Sequence, residues 1–347
     1  MNVKPAISVV TPTKNRLGLL CEAIDSVKQQ SFGDWEHIVV DDGSNDGTVE
    51  EVMRRAQSDG RIRYFQRTGE QSGANVCRNL GIRESRADLV VFLDSDDLLA
   101  PNCLERRVAV MRRNLDLDFA VFRAAIFASS VGDLSRLYHL QNPGDDLLRF
   151  LSLDCPWQTS GPVWRHEFLE TIGCFDETLL SMQDLEMHVR AIAAGGKYVC
   201  FQEVDHHIRG QDDGSRTSAR HFTDALYIER SEKMPSILLE TVTNSGLLTW
   251  TRKRALLGLC FGTAQSWVRF GRLQRALETW TQGCRSQCAP WHVYIVGLLM
   301  LCTIRTAGRD VDLSERFVNK WKGWMRFRQD PALVTHAPNA LRNMEQS

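Results

Sequence analysis

Long apolar runs are missing from this chain. Its most hydrophobic stretch, Trp291 to Ile304, falls short of the ~20 residues needed to cross a bilayer, so no membrane-spanning segment is expected. The opening residues, MNVKPAISVV, lack the basic start and apolar centre of a secretory leader. The ten cysteines stand singly, with no CxxC pair, and read as reduced thiols of a cytoplasmic protein. Glycine (24) and proline (10) are too sparse in 347 residues for a collagen-like or disordered chain. No GxGxxG follows the first apolar run, which argues against a dehydrogenase.

What is present describes a globular protein: 43% of residues are hydrophobic and 24% charged. The length suits about two domains. The formal net charge of -1 hides an asymmetry, because residues 249–347 hold 15 Lys and Arg against 6 acids. Residues 1–248 hold 27 against 37. The acidic part argues against nucleic acid as a partner, and the basic part leaves anionic partners open.

Apolar runs and amphipathic runs alternate through the first hundred residues. Strands are expected at Ile7–Val10, His37–Val40, Ile62–Phe65 and Leu89–Leu93, with helices at 19–30, 48–56 and 75–84 between them. Such alternation predicts an α/β fold, a mostly parallel sheet covered by helices on both faces. Right-handed crossovers put the carboxyl ends of the strands on one edge, where open α/β sheets bind ligands. Three polar clusters follow strands here: Thr13-Lys-Asn15, Asp41-Asp42 and Asp94-Ser-Asp-Asp97. Carboxylates far apart in sequence would therefore meet in one crevice. Ser181 to Gly196 reads as a later helix, and residues 209–220 as a polar loop. Beyond about residue 222 the pattern is helical, including a hairpin over 255–284. Two domains follow, 1–222 and 223–347.

Two acids spaced i, i+2 after a buried strand can hold a hard divalent cation, Mg²⁺ or Mn²⁺, together with substrate phosphates. A bare Asp-Ser-Asp-Asp is otherwise a solvated turn, as Asp41-Asp-Gly-Ser44 is by itself a turn former in which Asp42 could cap the next helix.

The ordered set Ile7-Ser-Val-Val-Thr-Pro-Thr-Lys-Asn15, Asp41-Asp-Gly-Ser44, Cys77-Arg-Asn-Leu-Gly-Ile82 and Phe92-Leu-Asp-Ser-Asp-Asp97 resembles the family 2 glycosyltransferases. Gly173-Cys-Phe-Asp-Glu177, Gln183-Asp184, Arg190 and Gly195-Gly196 continue the match, which covers roughly residues 5–215. The resemblance implies a GT-A fold and inverting transfer from a nucleoside diphosphate sugar. It implies that Thr11, Thr13 and Asp42 line the base and ribose pocket and that Arg78 sits near the donor. Asp94 and Asp96 become the metal pair, with Asp97 on metal or ribose. Asp184 becomes the general base, and Glu186 stands in reserve because Gln183 replaces the first acid of the usual Glu-Asp. The position of Asp184 near a helix start predicts a low pKa. Arg209, with His206 and His207, lies where relatives close a segment over the donor, so Arg209 could pair with the diphosphate.

Trp157, beside a proline, is a candidate stacking platform for an acceptor sugar, or else core packing, as is Trp164. Six of nine tryptophans lie beyond residue 249, and Lys320-Trp-Lys-Gly-Trp-Met-Arg-Phe-Arg328 interleaves cations with aromatics as interfacial helices do. The reading is a metal-dependent transferase moving sugar from a UDP-sugar to a saccharide or lipid-linked acceptor, in surface polysaccharide or cell-envelope glycan synthesis. It would be cytoplasmic, with peripheral contact at the inner face of an anionic membrane through the basic tail. The alternatives are a catalytically inactive nucleotide-sugar-binding module and a sugar nucleotidylyltransferase. The second fits less well, since its Gly-rich basic loop is replaced here by Thr11-Pro-Thr-Lys-Asn-Arg16.

Overall fold

A computed structural model describes residues 4–138, 144–210 and 225–306. The expected boundary at 222/223, the loop at 211–220 and the Lys320–Arg328 segment lie outside the described residues. The chain alternates β1 (Ile7–Thr13), α1 (Leu17–Lys28), β2 (Trp35–Asp41), α2 (Thr48–Ser58), β3 (Ile62–Gln66), α3 (Ala74–Glu84) and β4 (Leu89–Phe92). Then come β5 (Leu98–Leu99), α4 (Cys103–Arg113), β6 (Phe119–Phe127), β7 (Arg136–Tyr138), α5 (Asp146–Leu151) and β8 (Pro162–Arg165). The sheet region ends with α6 (His166–Thr171), α7 (Gln183–Ala193) and β9 (Tyr198–Arg209). Five helices follow: α8 (Ala225–Ser231), α9 (Met234–Asn244), α10 (Trp250–Arg269), α11 (Leu273–Ser286) and α12 (Trp291–Thr306).

The strands form one sheet in the order β3-β2-β1-β4-β8-β6-β9-β5, with β7 paired to β6. The expected parallel arrangement holds for β3-β2-β1-β4. Past β4 the sheet is mixed, since β8 runs antiparallel to β4 and β6, whereas β6 and β9 are parallel. That reversal was hidden in the sequence because β8 is only four residues long and enters from a Pro/Gly-rich loop.

Strand periodicity sorts the core into two layers. Ile7, Val9, Val39 and Val91 face one way and pack with Leu20, Ile24 and Val27 of α1 and Leu104 and Val108 of α4. Val10, Ile38, Val40 and Phe92 face the other way, towards α3 and α7. Gly81 lets α3 lie directly on β1, since a Cβ there would overlap the Val10 side chain. The second layer continues into Leu238 and Val242 of α9 and Ala255, Leu256 and Leu259 of α10, so these helices share a core with the sheet. A third core joins α10, α11 and α12 around Phe261, Trp267 and Trp280.

Candidate active site

The turn after β1 and the turn after β2 are laced together. Asn15, at a φ of 50° that asparagine tolerates, donates its N–H to Ser44 Oγ (2.8 Å) and accepts from Asn45 N at Oδ1 (2.8 Å). Asp41 turns inward and accepts from the N–H groups of Gly43 (3.0 Å) and Ser44 (2.9 Å), which shapes that loop. Asp42 does not cap α2, whose N-cap is Gly47; Asp46 just before it accepts from the Thr48 N–H (3.2 Å) and Oγ1 (2.6 Å). Instead Asp42 accepts from Lys14 Nζ (3.2 Å), Arg67 Nε and the Gly73 N–H (3.2 Å) at the start of α3. Thr11 is fully buried, with Oγ1 within 2.9 Å of His37 Nε2, while Thr13 Oγ1 at the strand end is buried without a hydrogen-bond partner.

At the end of β4 the Asp94–Asp97 turn carries the second acidic set. Asp94 accepts from Arg78 Nη2 (2.7 Å), and Asp96 lies 3.1 Å from Arg16 Nη1. Asp97 accepts from the Arg209 N–H (3.1 Å), and the Arg209 guanidinium reaches the Asp96 carbonyl (3.1 Å) and Glu22 (2.5 Å). Arg209 therefore stands at the Asp94–Asp97 turn. Arg78 keeps Nε and Nη1 buried without hydrogen-bond partners, and its guanidinium lies over the Phe175 ring, 5.2 Å from the centroid. Behind the turn, Arg107 and Asp205 form a fully buried bidentate pair (2.8 Å twice). Arg107 also donates to the Ser160 carbonyl (2.9 Å), and His206 Nδ1 sits 2.9 Å from Asp205. His206 and His207 are thus structural, buried and neutral, with the His207 pKa brought down to about 4 by burial.

Asp184 is the second residue of α7, and the segment before that helix is fastened to α3. Asn79 exchanges hydrogen bonds with Phe175, donating to its carbonyl (2.8 Å) and accepting from its N–H (2.9 Å). Asn75 donates to the carbonyls of Asp176 (2.7 Å) and Leu179 (3.0 Å). The Cys77-Arg-Asn79 motif therefore fixes where Asp184 falls. Burial raises the Asp184 pKa above 3.8, opposed by the Leu185 N–H and the Arg78 charge and reinforced by Asp94. This corrects the expected low pKa: desolvation outweighs a helix-terminus effect worth ~0.3–1 kcal/mol.

The sites converge electrostatically. Asp97 and Asp184 both act on the Tyr138 phenol, whose pKa burial already lifts well above 10.0. Asp42, Arg67 and Arg78 all act on Cys77, pushed up to about 12 chiefly by burial. Arg16, Arg67 and Tyr138 had not been singled out in the sequence. Arg16 follows the Thr13-Lys-Asn15 cluster by one residue and Arg67 directly follows β3, but nothing local marks Tyr138.

Two expectations are overturned. Trp157 is 2% exposed, ringed by Phe150 (4.9 Å between centroids), Tyr198 (5.5 Å) and His188 (5.7 Å), so it is core packing and offers no face to a sugar. Trp164 is likewise buried, between Phe119 and His188. Glu186, the reserve base, is held in a two-pronged pair by Arg190 (2.7 and 2.8 Å) and is not available for proton transfer.

The carboxylate oxygens of Asp94 and Asp96 are the hard donors that Mg²⁺ and Mn²⁺ take, usually with phosphate oxygens completing the shell. Among the described residues no three His, Cys, Asp or Glu side chains converge into a ready-made cage, and a diphosphate-sharing ion needs none. The residues present fit such an ion.

Residues 8–159 match the family model described as Glycosyl transferase family 2. Over 100 residues the chain is 41% identical to a "GalNAc(5)-diNAcBac-PP-undecaprenol beta-1,3-glucosyltransferase" of Campylobacter jejuni, covering 29% of this chain and 32% of that protein. Over 159 residues it is 33% identical to a "Putative teichuronic acid biosynthesis glycosyltransferase TuaG" of Bacillus subtilis, covering 44% of this chain and 61% of the other. The chain thus matches less than two thirds of the length of either relative. Among solved structures, S. aureus TarS 1–349 in complex with UDP-GlcNAc superposes with a TM-score of 0.55 at 17% identity, covering 88% of this chain and 92% of that one. The strand order and these likenesses give the chain a GT-A fold, with a domain similar to the family 2 glycosyltransferases over residues 8–159.

Proposed function

We propose that this chain is an inverting, metal-dependent transferase that moves a sugar from a UDP-sugar to a saccharide or lipid-linked acceptor of a cell-envelope polysaccharide. The observation that carries the reading is the Arg78–Asp94 pair (2.7 Å) set against a half-buried Asp184 at the carboxyl ends of the strands. Inversion needs one base on the acceptor side and charge compensation on the leaving-group side. Asp184 takes the proton from the acceptor hydroxyl, and its raised pKa makes it a stronger base than a surface aspartate. Arg78 holds Asp94 through Nη2 and brings positive charge to the turn that receives the diphosphate. Thr13 and Asp42 line the nucleotide end, Asp42 oriented by Lys14 and Arg67, while Thr11, fully buried against His37, supports the strand end from behind. Arg209 and Asp97 close the turn on the phosphate side. Asp94 and Asp96 hold Mn²⁺ or Mg²⁺, which when bound neutralises charge on the departing diphosphate. The named relatives and the UDP-GlcNAc complex of TarS support the donor class and the setting.

The test is a thermal-shift screen of nucleotides and nucleotide sugars with and without Mn²⁺, followed by product analysis. Stabilisation by UDP-sugars that requires metal, with turnover, is expected. Stabilisation without turnover of any donor would leave a nucleotide-sugar-binding module instead.

A further inference from the structure

Helix α12 is mostly apolar, with His292 and Thr303 as exposed polar residues, yet it is packed on one side only. Val293, Met300 and Leu301 are buried in the third core, and Gly297 lets the Trp280 ring lie against the helix backbone, where a Cβ would overlap it. On the outer side Trp291 (77% exposed), Ile295 (42%) and Leu299 (63%) recur every four residues. Exposed Cys302 carries the same stripe one turn further. At 1.5 Å per residue the face runs for ~17 Å along the helix axis. A helix that only packs into a water-facing bundle carries polar residues on that side. A continuous exposed apolar stripe marks an interaction surface.

The charge around it identifies the partner. Between Thr249 and Thr306 stand eight Lys and Arg against the single acid Glu278, with Arg252 paired to Asp145 and Arg275 to Glu229 and Glu232 outside that span. Arg269, Arg272 and Arg285 are exposed. Two copies meeting through such a region would bring like charge to like charge. An anionic lipid surface instead offers both the apolar depth and the negative charge, with each basic residue near it worth about 1 kcal/mol. No described helix is long and apolar enough to cross a membrane, so the contact lies in the plane of the interface.

We infer that the outward face of α12 lies flat on an anionic bilayer, with Trp291, Ile295 and Leu299 at the boundary between headgroups and acyl chains. The exposed basic residues of α10 and α11 supply the selection for negative charge. The inference stands apart from the catalytic reading, since vesicle binding and sugar transfer are separate readouts.

The test is flotation of the full chain with phosphatidylcholine vesicles and with vesicles containing phosphatidylglycerol, at low and high salt. Binding is expected to require phosphatidylglycerol and to weaken with salt. The double substitution Ile295→Asp, Leu299→Asp should lower the partition coefficient by at least ~30-fold. Both positions face outward, so the melting temperature should stay unchanged; Trp291→Ala serves as a milder variant and should lower partitioning ~10-fold. Equal flotation with neutral and anionic vesicles, or no flotation of the unsubstituted chain, would overturn the inference. A dimer that the double substitution dissociates, with no vesicle binding, would assign the face to a second copy.

Discussion

Charge is handled in opposite ways at the sheet's edge and in the terminal helices. At the strand ends Asp42, Asp94 and Asp96 each meet a cation, and the Arg107–Asp205 pair behind them is fully buried. In α10 to α12 the cations are in excess, and arginines such as Arg285 are exposed beside a bare apolar face. Buried, partnered charge is costly and geometrically exact, which suits chemistry at fixed atoms. Exposed charge of one sign acts through a long-range field that salt screens, which suits attraction to a surface of no fixed register.

The sharpest way to break this comparison is at Asp184. Asp184→Asn should cut the transfer rate ~10²–10⁴-fold while leaving donor binding intact. It should also raise the melting temperature at neutral pH. The sign follows from the raised pKa: the protonated form is favoured in the folded chain, so its stabilisation is complete below 3.8 and is lost as pH rises through the folded value. The variant removes a charge that burial penalises, and its advantage should vanish in acid. An unchanged rate, measured with product formation under saturating donor, would remove Asp184 as the base. No single charge in α10 to α12 should affect the transfer of a soluble acceptor.

The next largest effect tests the buried pair. Arg107→Met leaves the Asp205 charge stranded and should cost ~3–5 kcal/mol by urea unfolding. Replacing both partners, Arg107→Met with Asp205→Leu, should recover most of that loss. Arg285→Met, by contrast, should stay within ~0.5 kcal/mol. If Arg107→Met is equally mild, the distinction between the two regions fails.

Much of the sheet edge was legible because its signals are local. The strands of the first hundred residues are short apolar runs, and β1, β2 and β4 each end on a polar motif, so a parallel sheet brings Asp42 and Asp94 to one rim by topology alone. What was hidden depends on contacts between distant segments. Asn79 reads as part of a donor motif, yet its side chain pins Phe175, ninety-six positions away. Tyr138 joins the site through a strand of three residues paired with β6. Trp157 was ambiguous beside Pro156, because the aromatic cluster that buries it is assembled from β6, α5, α7 and β9. The Asp184 pKa was misjudged for the same reason: a helix start is visible in sequence, whereas the burial that outweighs it is not. The split surface of α12 was equally out of reach, since a mostly apolar helix does not say which side is covered.

The smallest expected effect sits where the two regions touch. Asp145 caps α5, accepting from Leu148 N (2.9 Å), and its other oxygen accepts from Arg252 Nη2 (2.9 Å) and Nε (3.1 Å) at the start of α10. The two roles separate by substitution. Asparagine still caps but carries no charge, so Asp145→Asn should lose only a part-exposed ion pair, less than ~1 kcal/mol. Asp145→Ala loses both and should cost ~1–2 kcal/mol. Equal losses in the two variants would mean that the ion pair does most of the joining. A neutral Asp145→Asn would leave the junction to apolar packing, in which Leu147, Phe150 and Leu151 of α5 share a core with Ala255 and Leu256 of α10. In that case apolar packing anchors the basic helices to the sheet, and exposed cations such as Arg272 and Arg285 are left for an outside surface.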